Sequence, residues 1–137
     1  MTQKYLNGLT HTIIGSAIEV HRELGPGLLE SIYEKCLSHV LKQKGFQLLS
    51  QQKVPLVFRG LYLDCDLRLD LLVEDSIIVE IKAVDCLLPI FEAQLLTYLK
   101  LLEKPKGILL NFNCTNIFKE GQKTLVAELY AQLTKGY

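Results

Sequence analysis

Residues 61–84 read LYLDCDLRLDLLVEDSIIVEIKAV, and this stretch governs the architecture because apolar residues recur at every second position. Such alternation is typical of β-strands, so we expect a strand over 61–73 and another over 77–84, joined by a turn at residues 74–76. A three-residue turn sets a register in which Asp70 stands directly across from Glu80. Lys82, two residues after Glu80, points to the same face. The opposite face of both strands is predicted to be apolar and carries Leu67, Leu69, Leu71, Val73, Ile77, Val79 and Ile81.

The segments on either side of this stretch predict helices and further strands. Apolar residues at steps of three and four indicate helices, and Pro and Gly mark where they begin and end. The predicted elements are helices over 5–23, 28–44, 89–102 and 125–133 and strands over 46–58, 61–73, 77–84 and 107–112, with Gly45 capping the second helix. The order α-α-β-β-β-α-β-α predicts one mixed α/β domain over 1–137.

Composition excludes several classes of protein. The chain has 137 residues, of which 49% are hydrophobic and 22% are charged, so it can form a core and is not a disordered chain. Fifteen basic and fifteen acidic residues give zero formal charge, which argues against a broad electrostatic coat on nucleic acid or lipid. No apolar run is long enough to cross a bilayer and no signal-peptide pattern begins the chain, so no membrane and a cytoplasmic location are expected.

The four cysteines do not resemble a metal-binding set. Cys36, Cys65, Cys86 and Cys114 are widely spaced and include no C-x-x-C pair. We expect four reduced side chains that act as small buried hydrophobes.

The predicted pair of carboxylates indicates a metal site. Asp70 and Glu80, side by side on a partly buried sheet, repel each other unless one takes a proton or a cation binds. Mg²⁺ or Mn²⁺ suits oxygen ligands of this kind. A lysine nearby, such as Lys82, can stabilise negative charge that develops on a phosphate. These three residues form the minimum set for metal-assisted hydrolysis of a phosphodiester.

Three further polar residues are candidates for the same site. Gln94 and Tyr98 lie four residues apart on a predicted helix and therefore share a face, although such a pair is also common at the edge of an amphipathic helix. Glu30 lies in the first turn of the second predicted helix, where a carboxylate is ordinarily a partner of the helix dipole. Glu34, one turn later, is expected to face solvent.

The residues resemble a known family. The segment GLLESIY at 27–33 matches the Gly-x-x-Glu-x-x-Tyr signature of the GxxExxY family, which belongs to the PD-(D/E)XK nuclease superfamily. The resemblance covers roughly residues 5–125. Beyond the signature it is carried by HRELGP at 21–26, LDLLV at 69–73, IVEIKA at 78–83, EAQLLTYL at 92–99 and LLNF at 109–112.

The resemblance implies a fold and a set of roles. The implied fold is a restriction-endonuclease-like αβββαβ core, a mixed central sheet flanked by helices, with an extra N-terminal helix. Asp70, Glu80 and Glu30 would bind the metal together with Ile81, and Lys82 would lie beside the attacking water. Gln94 and Tyr98 resemble the Gln-x-x-x-Tyr motif of some nuclease branches. Leu69 stands where the superfamily motif has its proline.

These observations favour one function and leave two alternatives open. The favoured function is a nuclease that uses Mg²⁺ or Mn²⁺ to hydrolyse phosphodiester bonds of DNA or RNA, with DNA the favoured partner. The first alternative is a catalytically inactive nucleic-acid-binding or regulatory module on the same fold. The second is a structural or interaction protein in which Asp70, Glu80 and Lys82 form a buried ion network.

A homodimer is the simplest way for a domain of this size to cut both strands of a duplex. Candidate phosphate contacts are Lys53, Arg59, Arg68, Lys104 and Lys106.

Overall fold

Five helices and seven strands make up the protein, and the computed structural model describes all residues from 1 to 137. The helices are α1 (Gln3–Leu24), α2 (Glu30–Gln43), α3 (Pro89–Leu102), α4 (Ile117–Glu120) and α5 (Glu128–Gln132). The strands are β1 (Leu48–Ser50), β2 (Leu56–Phe58), β3 (Leu61–Leu63), β4 (Leu71–Val73), β5 (Ile77–Lys82), β6 (Lys106–Asn111) and β7 (Gln122–Val126). None of the helices is long and apolar enough to cross a membrane.

Five of the strands form one mixed central sheet in the order β1-β4-β5-β6-β7. The β5 and β6 strands are parallel, and every other neighbouring pair is antiparallel. Parallel strands need a long connection, which α3 supplies here by crossing from the end of β5 to the start of β6. The predicted α/β class, with a restriction-endonuclease-like mixed sheet flanked by helices and an additional N-terminal helix, is confirmed.

Helices cover both faces of the sheet. Side chains alternate between the two faces along each strand, and this alternation determines which helices a residue contacts. Leu71, Ile77, Val79 and Ile81 pack into a core with α1 and α2. The intervening residues Leu72 and Ile78, with Leu109 of β6, pack instead with Leu95 and Leu99 of α3. Because side chains alternate along a strand, Glu80 and Lys82 point to the same face as Ile78, which is the face covered by α3.

The predicted strand over 61–73 is wrong in its middle. Only β4 at its end joins the central sheet, and β3 at its start pairs with β2 in a separate two-stranded hairpin. Between β3 and β4, Arg68 forms an isolated bridge with Lys53, and the backbone of Leu67 and Leu69 bonds to residues 54 and 52, while the side chains of Asp64, Asp66 and Arg68 are exposed. Leu67 and Leu69 consequently pack on the α3 side and not, as predicted, with Leu71 on the other face.

Two other predicted segments also change. The predicted strand over 46–58 becomes β1 and β2, separated by Gln51 in a left-handed conformation (φ 54°) and by Pro55, which has no backbone N–H to donate. The predicted closing helix over 125–133 begins too early, because residues 125 and 126 belong to β7 at the sheet edge. The sequence pattern also missed α4, which Asn116 caps by accepting a hydrogen bond from the Lys119 N–H.

The predictions for the remaining helices agree closely with the structure. The α3 helix has the predicted bounds, and α1 and α2 differ by one or two residues at their ends. Gly45 ends α2 as predicted, with φ 92°, and its N–H donates to the Lys42 carbonyl. All four cysteines are free. Cys36 and Cys114 are half-buried and pack against the core, which agrees in part with the prediction of buried hydrophobes, whereas Cys86 is exposed and the half-buried Cys65 lies outside the core.

The Gly-x-x-Glu-x-x-Tyr segment has a clear structural role between α1 and α2. Gly25 (φ 67°) and Gly27 (φ 105°) adopt left-handed conformations that side chains disfavour. The ring of Tyr33 is fully buried and stacks on Phe112, with centroids 4.4 Å apart. Its hydroxyl donates to the Gly25 carbonyl at 2.6 Å and accepts from the Leu28 N–H at 3.1 Å. Tyr33 therefore ties the loop to the helix that carries Glu30.

We predict that Tyr33→Phe lowers the free energy of unfolding by about 1 kcal/mol, because the partly buried Leu28 N–H and Gly25 carbonyl both lose a hydrogen-bond partner. Urea unfolding of the purified protein measures this change. Tyr62→Phe is the matched control, since Tyr62 is 60% exposed, and it should change stability by less than about 0.5 kcal/mol. Equal effects of the two substitutions would contradict the role of Tyr33.

Candidate active site

Asp70 and Glu80 face each other across neighbouring segments of the sheet. The observed register pairs Leu71 with Val79 and Val73 with Ile77, and one further step places Asp70 opposite Glu80. The predicted register is therefore confirmed. Asp70 lies just before β4, and its Oδ2 accepts a hydrogen bond from the Ile81 N–H at 2.7 Å. That bond holds the Asp70 carboxylate against the backbone of β5.

The carboxyl group of Glu80 is buried, and one of its two oxygens has no hydrogen-bond partner. The Glu80 side chain lies in β5 with the residue only 4% exposed, and the oxygen without a partner is Oε1. Burial is the largest cause that raises the pKa of Glu80, followed by the neighbouring Asp70 charge, and together they raise it from 4.5 to about 9. The ammonium group of Lys82 opposes this rise. Without a cation, Glu80 therefore holds a proton at neutral pH.

Lys82 lies two residues after Glu80, at the end of β5, and is half-buried. None of the five salt bridges of the protein involves it. Its Nζ lies instead 4.7 Å from the centroid of the Phe91 ring of α3, a cation–π contact. The Lys82 charge is thus held near the carboxylates and remains available to an anionic ligand.

Helix α3 brings Tyr98 to the same region. Tyr98 is 5% exposed, and its pKa is raised, first by burial and then by the charges of Glu80 and Asp70. The Gln94 side-chain amide donates to the Tyr98 hydroxyl at 3.3 Å, although Gln94 itself is exposed. The prediction that Gln94 and Tyr98 share one helix face is confirmed. Tyr98 also lies close enough to Glu80 and Asp70 for their charges to raise its pKa.

Glu30 reaches the sheet from the first turn of α2. Its Oε2 accepts a hydrogen bond from the Ala83 N–H at 2.9 Å, directly after the last residue of β5. Glu30 therefore lies beside the backbone that follows Lys82. No group of three or more His, Cys, Asp or Glu side chains is arranged to hold a metal ion, so Glu30 does not complete a three-carboxylate cluster with Asp70 and Glu80.

The structure places Glu34 and Gln51 next to Asp70, which sequence reasoning missed. The Gln51 amide donates to Glu34 Oε1 at 2.7 Å and to Asp70 Oδ1 at 3.3 Å. Burial raises the pKa of Glu34, and the Asp70 charge raises it further. The expectation that Glu34 faces solvent is therefore wrong. Its spacing of four residues from Glu30 was the available signal, because such residues share a helix face.

The donor set suits a divalent cation that binds oxygen. The Glu80 Oε1 atom is buried and has no hydrogen-bond partner, and the Asp70 charge repels any negative charge on it. A bound cation would offset this repulsion and give the Oε1 atom a partner. Mg²⁺ commonly binds proteins through one or two carboxylates and keeps several waters, so it does not need a third side chain. The residues present therefore fit Mg²⁺ or a similar ion.

Comparison with known proteins agrees with this geometry. The family model of the PD-(D/E)XK nuclease superfamily matches residues 7–125. The chain belongs to this superfamily, whose members generally use divalent metals and act on nucleic acids. No curated protein and no solved structure matches the chain significantly.

The raised pKa of Glu80 makes stability depend on pH. The unfolded chain loses the Glu80 proton near pH 4.5, whereas the folded protein keeps it up to about pH 9. In the absence of metal, the free energy of unfolding should therefore fall as pH rises between these values, with a slope on the order of 1 kcal/mol per pH unit. Glu80→Gln should remove this part of the slope.

Urea unfolding in EDTA at pH 5, 7 and 9 measures the slope. Glu128→Gln is the control, because Glu128 is an exposed carboxyl on α5, and it should keep the pH dependence of the wild type. A wild-type slope that Glu80→Gln leaves unchanged would show that Glu80 is not a buried neutral acid.

Proposed function

We propose that the protein is a nuclease of the GxxExxY branch that hydrolyses phosphodiester bonds of DNA or RNA with Mg²⁺ or Mn²⁺. One observation carries the proposal: Asp70 faces a buried, under-bonded Glu80, and the unpaired Lys82 lies on the same face. Asp70, and Glu80 once it loses its proton, would repel an anionic phosphodiester, and a bound cation would offset their charge beside the free Lys82 ammonium. Membership of the nuclease superfamily supports this assignment.

Each candidate residue has a role that follows from its position. Asp70 and Glu80, with Ile81, would hold the metal, and Glu30, which does not cluster with the two carboxylates, would reach it through a water. A bound divalent cation supplies a Lewis acid at the phosphate and makes water a better nucleophile at neutral pH. The Ile81 N–H orients Asp70, and Glu30 is held by the Ala83 N–H.

The remaining residues act on the substrate. The Lys82 ammonium, which no carboxylate neutralises, can donate to a phosphate oxygen as negative charge develops on it. Gln94 and Tyr98 form a polar pair at the α3 side of the carboxylates. The absence of Lys82 from every salt bridge counts against the interpretation of the site as a structural ion network.

The five predicted phosphate contacts do not form one free basic surface. Lys53, Arg68 and Lys104 are paired with Asp64, Asp66 and Asp75. The remaining two are Lys106, which is buried and donates to Asn7, and Arg59, which lies over Phe58 at the turn between β2 and β3. A site that binds nucleic acid through a cation and Lys82 agrees better with the structure than a broad basic groove. A cytoplasmic location and a homodimer stay predictions of the sequence.

Cleavage of labelled DNA and RNA tests the proposed function. We predict cutting with Mg²⁺ or Mn²⁺, none in EDTA, and a loss of about 100-fold or more in Lys82→Ala, because the variant lacks the donor that stabilises charge on the phosphate. Lys100→Ala, which removes an exposed lysine elsewhere on α3, is the control and should cut like the wild type.

Cutting that survives EDTA or Lys82→Ala would contradict the proposed site. If the wild type binds these nucleic acids but cuts none of them with either metal, the protein is the inactive binding module and not a nuclease.

A further inference from the structure

A cleft of about 420 Å³ runs along α3 beside the candidate active site. Its lining is largely apolar, with a polar group at Gln94, and consists of Leu67, Ile90, Phe91, Ala93, Gln94, Thr97 and Tyr98. Ile90 is 65% exposed at the cleft. The volume is in the range that binds small organic groups, about 300–1,000 Å³.

The cleft is continuous with the candidate active site through two aromatic residues. Phe91 lines the cleft and also lies under the Lys82 ammonium, 4.7 Å from its ring centroid. Tyr98 lines the cleft as well, and the charges of Glu80 and Asp70 act on its hydroxyl. A group in the cleft would therefore lie beside any phosphate that contacts Lys82.

The chemistry of the lining selects the kind of group. Gln94 makes a single hydrogen bond, from its N–H to the Tyr98 hydroxyl, so its carbonyl oxygen remains free. The cleft thus offers an aromatic ring and aliphatic side chains for a flat apolar face and one amide for a polar edge. A nucleobase has such a face and such an edge, and stacking of bases on aromatic side chains is common in proteins that bind single strands.

We propose that this cleft binds one unstacked nucleobase of the substrate strand, next to the phosphate that Lys82 contacts, so that the protein prefers single-stranded nucleic acid or frayed ends to intact duplex. The proposal rests on the proposed nuclease function. A base that remains stacked in a duplex presents only its edge and cannot enter the cleft with its face against Phe91.

The test uses labelled thymidine 12-mers, the same strand annealed to its complement, and strands that carry one abasic position. With Mn²⁺, the wild type should cut the single strand with a lower KM than the duplex. An abasic position next to a given phosphate should raise KM for cutting there by about tenfold. Ala93→Phe, which fills the cleft from an exposed position, should cut intact and abasic strands alike.

Leu96→Phe is the matched control, because Leu96 is an exposed residue of α3 that does not line this cleft. It should keep the wild-type difference between intact and abasic strands. Thermal unfolding of both variants confirms that each folds. Wild-type cutting that ignores the abasic position, or that proceeds equally well on duplex, would overturn the inference while leaving the nuclease function standing.

Two other outcomes are also decisive. If the wild type cuts none of these strands, the proposed nuclease function is wrong, and the inference about the cleft is wrong with it. If Ala93→Phe alters the oligomeric state in sedimentation and leaves the difference between intact and abasic strands unchanged, the cleft is a surface for a second copy of the chain and not a base-binding site.

Discussion

The opposition of Asp70 and Glu80 is the constraint on which the rest of the site depends. Two carboxylates on facing segments of a buried sheet cannot both be charged without a counter-ion, and here the buried Glu80 holds its proton at neutral pH when no cation is bound. Burial of this carboxyl group beside Asp70 is therefore unfavourable in the absence of a cation. The presence of Glu80 among the apolar buried residues of β5 agrees with a functional role, because the same pair becomes favourable once a divalent ion binds.

The fold brings the other groups to this pair by two different routes. The α3 crossover between the parallel strands β5 and β6 returns across the face that carries Glu80, and it places Tyr98 and Phe91 beside the carboxylates and Lys82. The α2 helix approaches from the opposite layer, and the tyrosine-anchored loop before it directs Glu30 to the end of β5. The candidate site therefore lies where both helical layers meet the sheet. Its residues come from α2, β5, α3 and the segment just before β4, so they are spread over residues 30–98 of the chain.

Sequence patterns predicted the parts of the molecule that depend on local periodicity. The turn between β4 and β5 set the register of Asp70 and Glu80, and the two prolines around α3 marked its bounds. The break within 61–73 could not be predicted, because the apolar alternation continues through residues 64–70, of which only Arg68 forms a bridge, with Lys53. The contact of Gln51 with Glu34 and Asp70 depends on a left-handed residue between two short strands, and pattern analysis has no signal for it. The edge strand β7 was missed because its few apolar residues also fit a helical spacing.

Calorimetric titration of Mn²⁺ into the protein at pH 7 measures directly whether a metal ion displaces the proton of Glu80. Because Glu80 holds a proton in the metal-free protein, binding must displace it, and comparison of two buffers with different ionisation enthalpies counts the protons released. The wild type should release about one proton for each ion bound, and Glu80→Gln, if it binds at all, should release none. Tight binding of Mn²⁺ without proton release, or binding that Glu80→Gln leaves unchanged, would contradict the proposed metal site.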